Sequence, residues 1–441
     1  MTPSSTAAGR VGLHFRIAAL LVGFLPALAQ GMPALSLAPP GEAPGFPRVF
    51  FGMHVHNNPN RPRQWPTIPI GSLRLWDSLV SWPQVEPRRD EWQFARLDEY
   101  VSWATSHNVE VLLPLGLSPT WASARPQEAS SYGSTPGSGA GYAAEPANID
   151  DWRNYVRAVG QRYKGRIHYY ELWNEVTDKG FFTGQIADLV RLAVAAKAEL
   201  AAIDPTIKLV APSAVSLGEA QTSLPADFMA AGGRQAADIA SFHLYHGDHA
   251  PELKLGMAPN IRRRLVSRGF NGTPVWNTET GYFLTPPASV TTRGAGKYEI
   301  TQQQAAQYVP RDMLLARAMG FERFFWFAWD SDYLGFLEPR TGELRPHGKV
   351  LGQFVKLLTD SRLAGCDRDI AGLWRCQLTL ASGARAQAVW MDPAAAAPVT
   401  FDAPFAGQLV LLDGVDAGST IGAKITAGQT VQILIRSQSG Q

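Results

Sequence analysis

The sequence contains few cysteines. Cys366 and Cys376 are the only two in 441 residues, and they flank a strand-like run that contains a glycine. Their spacing does not match a close-spaced redox or zinc pair, and no other metal-ligating residues cluster with them. In an exported protein we therefore expect a structural disulfide that closes a hairpin.

An excess of charge of one sign is also absent. The chain has 40 basic and 38 acidic residues, a formal net charge of +2, and both signs are dispersed along it. Nucleic-acid binding through a basic surface would require a concentrated positive stretch. The densest basic run, Arg262–Arg264, lies in a predicted helix and is more typical of a solvated face. We therefore expect no nucleic-acid partner.

Two common catalytic motifs are missing. No Gly-x-Ser-x-Gly motif occurs, which argues against the serine-hydrolase chemistry of nucleophile-elbow enzymes. No glycine-rich loop followed by Lys and Ser or Thr occurs either, which argues against phosphate binding by a P-loop. The chemistry of this chain must therefore be sought in other residues.

The N-terminal apolar run is too short for a membrane anchor. Ile17–Leu28 has fewer than the roughly 20 residues that span a bilayer, and it contains Pro26. It follows basic residues and ends at the small-residue sequence Ala27-Leu28-Ala29, as in a secretory signal peptide. We predict a cleaved signal peptide at 1–29, a secreted or periplasmic protein and no stable membrane insertion. Residues 30–46, rich in Pro, Gly and Ala, are interpreted as a linker.

Eight strand-like runs alternate with helical segments between residues 47 and 360. This pattern predicts an α/β fold, a (β/α)8 TIM barrel whose active site lies at the C-terminal ends of its strands. The long stretch 118–147, rich in Gly, Ser, Pro and Ala, is a candidate wall or lid over that site. The predicted strands are Arg48–His56, Ser72–Asp77, Glu110–Gly116, Ile167–Val176, Lys208–Ser213, Ile239–His246, Pro274–Glu279 and Arg323–Asp330.

Residues 361–441 change to short β-rich runs without a helical pattern. Turn residues separate the runs, which predicts a small C-terminal β-sandwich. A carbohydrate-binding role would need an exposed aromatic row, and Trp374 and Trp390 alone do not form one. We therefore favour a structural brace. The predicted runs are Leu373–Leu380, Ala386–Met391, Gln408–Leu412 and Thr430–Ile435.

Two glutamates occur at equivalent strand ends. Glu175 closes the fourth predicted strand and Glu279 closes the seventh, each beside aromatic and amide side chains. Glycosidic bonds are cleaved by two carboxyl groups that flank the bond, and one of them needs a raised pKa to act as the acid. The pair therefore predicts a glycosidase. Glu171 shares strand parity with Trp173 and Glu175, so we expect it to point into the barrel and pair with Arg74.

Several features along the predicted barrel resemble the retaining glycoside hydrolases of clan A. The resemblance spans about residues 47–360 and is strongest to families 39 and 5, including glycosidases encoded with bacterial exopolysaccharide clusters. The features are Arg74 on the second strand, Trp173-Asn174-Glu175 on the fourth, His243-Leu244-Tyr245 on the sixth, Glu279 on the seventh and Trp329 on the eighth.

The resemblance implies roles for individual residues. Glu175 would be the acid/base and Glu279 the nucleophile of a double displacement that needs no cofactor. Asn174 would bind the sugar 2-hydroxyl, Tyr245 would hydrogen-bond the nucleophile, and Trp329 would form the floor of the sugar subsite.

Further residues are predicted to bind a carbohydrate substrate. Flat aromatic rings stack on pyranose faces, which favours Trp121 and Trp329 among the tryptophans near strand ends. Arg74, His243 and His56 complete the predicted binding set. We expect a β-linked polysaccharide or oligosaccharide as the substrate, and the long loop favours endo action on a polymer.

Two alternatives remain open. His54 and His56 share one face of the first strand and could bind a metal with His243, His246 and Asp330, as in amidohydrolase-like barrels. The fifth strand supplies no histidine and the fourth no bridging lysine, so that set is incomplete. A non-catalytic sugar-binding barrel is the third possibility that the fold alone leaves open.

Overall fold

The structure is a computed structural model, and strands and helices are numbered below in chain order. The predicted signal peptide at 1–29 lies outside the described residues, as does His246. Within the predicted linker, β1 (Leu35–Leu37) forms a strand that pairs with the C-terminal part of the chain. The described residues are 34–37, 45–56, 64–135, 137–215, 219–245, 247–285, 298–338, 341–415 and 418–437.

Eight parallel strands form the barrel. Seven of them fall within the runs predicted from the sequence and the strand that carries Glu279 extends one residue further, so the predicted fold class is confirmed. A short parallel pair, β9 (Phe283–Leu284) and β10 (Glu299–Ile300), lies outside the barrel. The barrel strands are β2 (Phe51–His54), β3 (Ser72–Arg74), β4 (Glu110–Leu115), β5 (Tyr169–Leu172), β6 (Lys208–Val210), β7 (Ala240–His243), β8 (Val275–Thr280) and β11 (Arg323–Trp326).

The sheet closes on itself. Hydrogen bonds join the strands in the order β6, β5, β4, β3, β2, β11, β8, β7. The bridges Val210 to Ile239 and Val215 to His243 then connect β6 to β7. The C-terminal ends of all eight strands therefore surround one mouth.

Helices cover the outside of the barrel, and local sequence explains where several begin. At α7, Thr301 accepts a hydrogen bond from the Gln304 amide (3.1 Å), and the Gln304 side chain accepts one from the Thr301 amide (2.9 Å). At α3, Asn148 accepts from the Asp150 amide (3.0 Å). The helices are α1 (Trp82–Val85), α2 (Ala95–Ser106), α3 (Ile149–Arg162), α4 (Ile186–Ile203), α5 (Glu219–Ala230), α6 (Lys254–Ser267), α7 (Gln302–Ala318) and α8 (Pro346–Leu358).

None of the described helices combines the length and apolar character needed to cross a membrane. The main apolar core lies between the barrel strands and these helices, and a smaller cluster fills the barrel interior. At the N-terminal end of the barrel, the Arg323 guanidinium lies 4.2 Å from the ring centres of both Tyr169 and Trp276. The barrel is therefore a packed core below its mouth.

The C-terminal unit is built on a seven-stranded sheet that includes β1. The expected disulfide is confirmed, because Cys366 and Cys376 are bonded and lie opposite each other on adjacent antiparallel strands. A two-stranded sheet of β15 and β18 completes the unit. Its strands are β12 (Arg362–Arg368), β13 (Leu373–Thr379), β14 (Arg385–Met391), β15 (Val399–Asp402), β16 (Gly407–Leu411), β17 (Gly418–Thr420), β18 (Lys424–Ala427) and β19 (Gln432–Arg436).

Alternate residues of the large sheet serve two different cores. Leu373, Val389 and Leu434 pack with residues of the two-stranded sheet, while Trp374 and Trp390 belong to the core shared with the barrel. A two-residue strand period explains this division. The predicted two-layer β unit is therefore present, and one face of its large sheet is fixed against the barrel.

Polar contacts reinforce that inter-domain face. Trp374 and Trp390 stack with ring centres 5.5 Å apart, and both are fully buried. The Trp390 indole donates to Glu252 (2.9 Å), which lies between β7 and α6, and Arg311 of α7 donates to Gln429 (3.0 Å). These rings cannot stack on an external sugar, so the contacts support a structural brace.

Candidate active site

Glu175 and Glu279 meet at the barrel mouth. Glu175 lies three residues beyond β5 and Glu279 lies at the end of β8. A carboxylate oxygen of one lies within 4.8 Å of a carboxylate oxygen of the other. Retaining glycosidases hold their carboxyl groups about 5 to 5.5 Å apart, whereas inverting ones leave about 6.5 to 9.5 Å for a water. The short separation matches the retaining arrangement.

A β-bulge turns Glu279 into the mouth. Asn277 pairs with Phe242 of β7, but the next residue of β7, His243, pairs with Glu279, so β8 contains one extra residue. The Thr278 hydroxyl donates to Glu171 inside the barrel (2.8 Å), and the adjacent Glu279 also bonds interior side chains. Consecutive residues of a regular strand face opposite sides, so only the bulge allows both to point inward.

At the end of β5, Trp173 does not point into the barrel as its strand parity predicts. Trp173 has a left-handed backbone (φ 61°), and its ring packs outside the barrel on Trp152 and Phe182. The strand therefore stops at Leu172, and the reversal brings Asn174 into the mouth. Parity predicts the position of Glu171 correctly but that of Trp173 wrongly, because alternation holds only while the chain stays extended.

The backbone of Glu175 is fixed by the neighbouring strand end. Its amide donates to the Ser213 hydroxyl (3.2 Å), and the Val176 amide donates to the Ser213 carbonyl (3.0 Å). Glu175 itself has a left-handed backbone (φ 43°), which is uncommon for residues other than glycine. Such conformations concentrate at functional sites because the surrounding structure must hold them.

Arg74 connects the residues of the mouth. This fully buried guanidinium donates to Glu171 (2.6 Å), Glu279 (2.8 Å) and Asn174 (2.8 Å). The expected pairing of Glu171 with Arg74 is therefore confirmed. Because arginine can only donate, the Asn174 atom that faces it is the amide oxygen, which leaves the amide NH2 group to donate elsewhere.

Glu279 lies among groups that favour its charged form. Besides Arg74, the Tyr245 hydroxyl donates to it (2.8 Å), and the His243 Nδ1 atom lies 3.9 Å away. Burial nevertheless raises the pKa of Glu279 to about 7, an effect that Arg74 and the Tyr245 hydrogen bond oppose and Glu175 reinforces. Removal from water is the dominant cause.

Glu175 has a different environment. Its side-chain partner is His243, whose Nδ1 atom lies 2.8 Å from the carboxylate. Burial raises the pKa of Glu175 to about 8, and burial lowers the pKa of His243 to about 4. His243 is therefore neutral near pH 7, so the direct side-chain partner of Glu175 carries no charge, whereas Glu279 bonds the Arg74 cation.

The rate of hydrolysis is expected to follow a bell-shaped pH profile. If Glu279 must be ionised and Glu175 protonated, kcat/KM rises as pH passes about 7 and falls as it passes about 8. The apparent pKa values that set these limbs belong to the coupled pair of glutamates and not to either residue alone. Initial rates across the acid, neutral and alkaline ranges test this. With an activated aryl glycoside, Glu175→Ala should lose the alkaline limb, and an unchanged limb in that variant would contradict the assignment.

The long loop after β4 forms a fixed wall beside the mouth. Arg125 donates to both oxygens of Glu145 (2.8 and 2.7 Å) and to the Thr183 hydroxyl (2.8 Å), and the Ser131 amide donates to the Gly180 carbonyl (2.8 Å). The loop is thereby bonded to the segment that follows Glu175. Of the two predicted roles, a wall agrees with these contacts better than a lid.

Two predicted aromatic platforms are not at the sugar site. Trp329 is only 1% exposed and belongs to the core, so a sugar cannot stack on it in this arrangement. Trp121 packs on Trp82 and under the Arg89 guanidinium, and its indole donates to the Glu86 carbonyl (3.0 Å). Sequence position near a strand end was a poor guide here, because tryptophans also fill helix-to-sheet contacts.

His56 lies at the edge of the mouth. It is half-buried, its amide donates to Asp330 (2.9 Å), and its ring centre lies 4.7 Å from that of Phe327. His54 is fully buried, and its Nε2 atom lies 3.1 Å from the Thr278 carbonyl oxygen. Phe327, two residues before Trp329, is a half-buried aromatic residue beside His56, and the sequence analysis did not select it.

Within the part of the chain that the structure describes, the alternative metal ligands do not converge. Among the described residues, the one group of three or more possible ligands that converge is Glu175, His243 and Glu279. His54 and His56 are not part of it, and His246 lies outside the described residues. The converging group is thus the predicted pair of glutamates with a neutral histidine between them.

A cavity of about 800 Å³ lies at the opposite end of the barrel. Its lining includes Lys208, Pro274 and Arg323, which stand at or next to the N-terminal starts of their strands. It contains none of the predicted site residues. Active sites of this fold lie at the other end of the strands, so this cavity is separate from the glutamates.

Comparison with known proteins found one matching family model and several similar structures. The Glycosyl hydrolase family 10 model matches residues 77–190, a segment that contains Glu175. A family 39 glycoside hydrolase from the gut symbiont Bacteroides cellulosilyticus WH2 has a similar structure, with a TM-score of 0.64, 16% identity, and coverage of 89% of this chain and 81% of that chain.

Two further family 39 structures are similar. The enzyme from Xanthomonas axonopodis pv. citri has a TM-score of 0.62 at 14% identity, covering 94% of this chain and 99% of that one. A β-xylosidase from Caulobacter crescentus has a TM-score of 0.60 at 12% identity, covering 91% and 99%. These structural matches support the predicted fold. In its fold and its matched segment the chain is similar to clan A glycoside hydrolases, family 39 among them, and the resemblance expected from its sequence is confirmed.

Proposed function

We propose that the protein is a retaining β-glycosidase that hydrolyses a polysaccharide or oligosaccharide by double displacement. One observation carries the proposal: two buried carboxyl groups have oxygens within 4.8 Å of each other and have unlike partners. Glu279 bonds a cation and a hydroxyl, whereas Glu175 bonds a neutral histidine. Unlike environments separate the nucleophile from the acid.

In the first step, the ionised Glu279 attacks the anomeric carbon. A bond forms between that carbon and a Glu279 oxygen while the glycosidic bond breaks. Glu175 gives its proton to the departing oxygen, which leaves as a sugar hydroxyl. Tyr245 and Arg74 hold the attacking carboxylate in place through hydrogen bonds of 2.8 Å each.

In the second step, the ionised Glu175 removes a proton from water. The water oxygen bonds to the anomeric carbon as the bond to Glu279 breaks, which regenerates both residues and retains the anomeric configuration. The Asn174 amide, fixed by Arg74, would donate to the sugar 2-hydroxyl during both steps. That contact can strengthen as charge develops on the ring.

The proposal extends to the sugar unit that the enzyme accepts and to the compartment in which it acts. One structural relative is a β-xylosidase, so xylosides belong in the first substrate panel. The predicted signal peptide favours a secreted or periplasmic protein. The long wall beside the mouth keeps endo action on a polymer as the favoured mode.

A mechanism-based label tests the proposal. The mature protein is incubated with activated 2-fluoro β-glycosides of xylose, glucose, mannose and galactose, and its intact mass is measured. We expect one stable adduct, located on Glu279 by peptide mapping, because the 2-fluoro group slows the second step more than an activated first step. The reacting sugar identifies the unit that the enzyme accepts.

Glu279→Ala is the matched control and should take up no label. Hydrolysis of any accepted oligosaccharide is followed in parallel by NMR of the first product anomer. An adduct on another residue would remove Glu279 from the nucleophile role, and release of the inverted anomer would reject the retaining mechanism.

A further inference from the structure

The mechanism leaves a second polar pair at the mouth unused. Tyr132, from the long loop after β4, donates its hydroxyl to Asp77, three residues beyond the end of β3 (2.9 Å). Tyr132 is 39% exposed, and Asp77 is also exposed. An exposed tyrosine hydrogen-bonded to a carboxylate beside a catalytic pair is a candidate for substrate contact.

Neighbouring side chains connect both residues to the segments that carry the site. Trp76, which adjoins Asp77, has its ring centre 6.0 Å from the guanidinium carbon of Arg74, the residue bonded to Glu279. On the other side, Phe181 follows Glu175 by six residues, and its ring centre lies 6.0 Å from that of Tyr132. The pair therefore lies beyond the C-terminal end of β3, in contact with the segment that follows Glu175.

The ionisable groups of this pair and of the two glutamates affect each other's pKa values. Burial is the main cause of the raised pKa of Glu175, and the negative charges of Asp178 and Asp77 add to it. The pKa of Tyr132 is raised well above its usual value by burial of its hydroxyl, although the residue as a whole is partly exposed, and by Asp77, with smaller contributions from Glu279 and Glu175. All four groups thus share one electrostatic environment.

The ring of Tyr132 is held in place. Its centre lies 6.3 Å from that of Trp76 and 6.4 Å from that of Tyr142. The Tyr132 amide donates to the Ser130 hydroxyl (3.0 Å), and the Ser131 amide bonds the Gly180 carbonyl (2.8 Å). A ring that is rigid and partly exposed can stack on a pyranose with little loss of conformational entropy.

Asp77 keeps an acceptor for the substrate. Only its Oδ1 atom accepts a hydrogen bond from the described residues, so Oδ2 is available to a sugar hydroxyl. Its backbone is left-handed (φ 56°), a conformation that residues other than glycine seldom adopt. Rare conformations of this kind mark sites where the fold fixes a side chain for function.

The surrounding charges define the class of sugar. Arg74 already bonds three partners, and Arg96 donates to the carbonyls of Ser78 and His56. Within the described residues Asp77 has no ion-pair partner, so a uronic acid placed beside it would meet a like charge that no bonded cation neutralises.

We infer that Asp77 and Tyr132 form a subsite, next to the sugar that is attacked, which stacks and hydrogen-bonds a neutral saccharide unit and disfavours an acidic one. This inference rests on the proposed glycosidase function. It assigns to the long wall a role in selecting the substrate. Binding energy gained there would raise kcat/KM for chains longer than one sugar.

The test compares substrates that do and do not reach the subsite. A β-glycosyl fluoride of the accepted sugar fills only the attacked position, whereas neutral β-linked oligosaccharides of the same sugar extend beyond it. Tyr132→Ala should lower kcat/KM for the oligosaccharides by about 10- to 100-fold and change the fluoride about 2-fold or less. Tyr132→Phe keeps the ring and should lose about 5-fold or less on the oligosaccharides.

Asp77→Asn tests the charge, with Asp178→Asn as the matched control. Asp77→Asn should improve the ratio of acidic to neutral oligosaccharide turnover by about 10-fold, because the like charge is removed. Asp178→Asn also removes one exposed negative charge near Glu175 but does not contact Tyr132, so its ratio should stay close to the wild-type value. Equal loss on fluoride and oligosaccharide in the Tyr132 variants would overturn the subsite.

Binding separates this inference from the proposed function. Calorimetric titration of a neutral oligosaccharide into Glu279→Ala, with and without Tyr132→Ala, measures the subsite without turnover. A Kd weakened about 10-fold or more by the second substitution supports the subsite even if the wild-type protein hydrolyses nothing, in which case the proposed function fails alone. An unchanged Kd overturns the subsite whatever the enzyme hydrolyses.

Discussion

Replacing Glu279 with alanine is expected to lower turnover of an activated aryl β-glycoside by about ten thousand-fold or more. The side chain is 6% exposed, and Arg74 and Tyr245 both bond it at 2.8 Å. Alanine removes the atom that must bond to the anomeric carbon, and no other described carboxylate takes its place. Initial rates measured with a dinitrophenyl glycoside report the loss directly.

Rescue by azide tests whether Glu279 is the nucleophile. The space left by the carboxylate admits a small anion, which can attack the anomeric carbon from the same side. We expect azide to restore turnover and to yield the glycosyl azide of inverted configuration, which NMR identifies. The matched variant Glu175→Ala should instead give the azide of retained configuration. Normal turnover by Glu279→Ala without azide would contradict the assignment.

The barrel could be predicted because its signals are local. Each barrel strand is a short apolar or aromatic run, and the intervening helices repeat apolar residues with the helical period. That period predicts helices at about Gln185–Ile203 and Gln302–Met319, and the observed α4 (Ile186–Ile203) and α7 (Gln302–Ala318) differ from these bounds by one residue. Burial of the strands on both faces keeps their sequences distinct from the amphipathic helices.

The C-terminal unit was predicted less completely. Strands β13 and β14 are apolar enough to recognise, but β17 (Gly418–Thr420) is exposed along its whole length, and β18 (Lys424–Ala427) has little apolar content. Their extended state depends on pairing with β16 and β15. Strand formation that depends on a distant partner leaves a weak local pattern.

The two glutamates could be placed from the sequence, but their side-chain directions could not. Parallel strands bring their C-terminal ends to one mouth, which is enough to expect Glu175 near Glu279. The bulge before Glu279 arises from its register with β7 and β11, and the reversal at Trp173 arises from a left-handed backbone. Neither feature has a local sequence pattern.

Tyr132 illustrates a different limit. It lies in a loop whose composition predicts only irregular structure, and its position depends on bonds from Arg125 and Ser131 to the segment after Glu175. These contacts join residues about 50 positions apart in the chain. Conversely, Trp121 and Trp329 have the expected residue type but serve the core. Residue type near a strand end does not determine exposure.

Replacing Arg74 with methionine is expected to damage both stability and catalysis. Arg74 and Glu171 are fully buried, and the guanidinium bonds Glu171, Glu279 and Asn174 at once. Removing one partner of a buried ion pair leaves an uncompensated charge and costs about 3 to 5 kcal/mol. We expect the urea midpoint of the barrel transition, followed by tryptophan fluorescence, to fall clearly below that of the wild type.

The pH dependence of kcat/KM should show how the loss of Arg74 impairs catalysis. Arg74 lowers the pKa of Glu279, so its loss should raise that pKa and move the acid limb of the kcat/KM profile to higher pH. Arg74→Lys keeps the positive charge but cannot make three fixed hydrogen bonds. We therefore expect its acid limb to stay near the wild-type pH although its activity falls. An acid limb that stays in place in Arg74→Met would mean that Arg74 only orients Asn174 and Glu279.

A double variant separates the two effects of Arg74. Glu171→Gln removes the second buried carboxylate beside Arg74 while keeping its size and its contact with Thr278. In the Arg74→Met background this change should recover part of the lost stability, because one uncompensated charge disappears, yet it should recover little activity, because Glu279 still lacks its cation. Full recovery of activity would instead place the catalytic role of Arg74 in its pairing with Glu171.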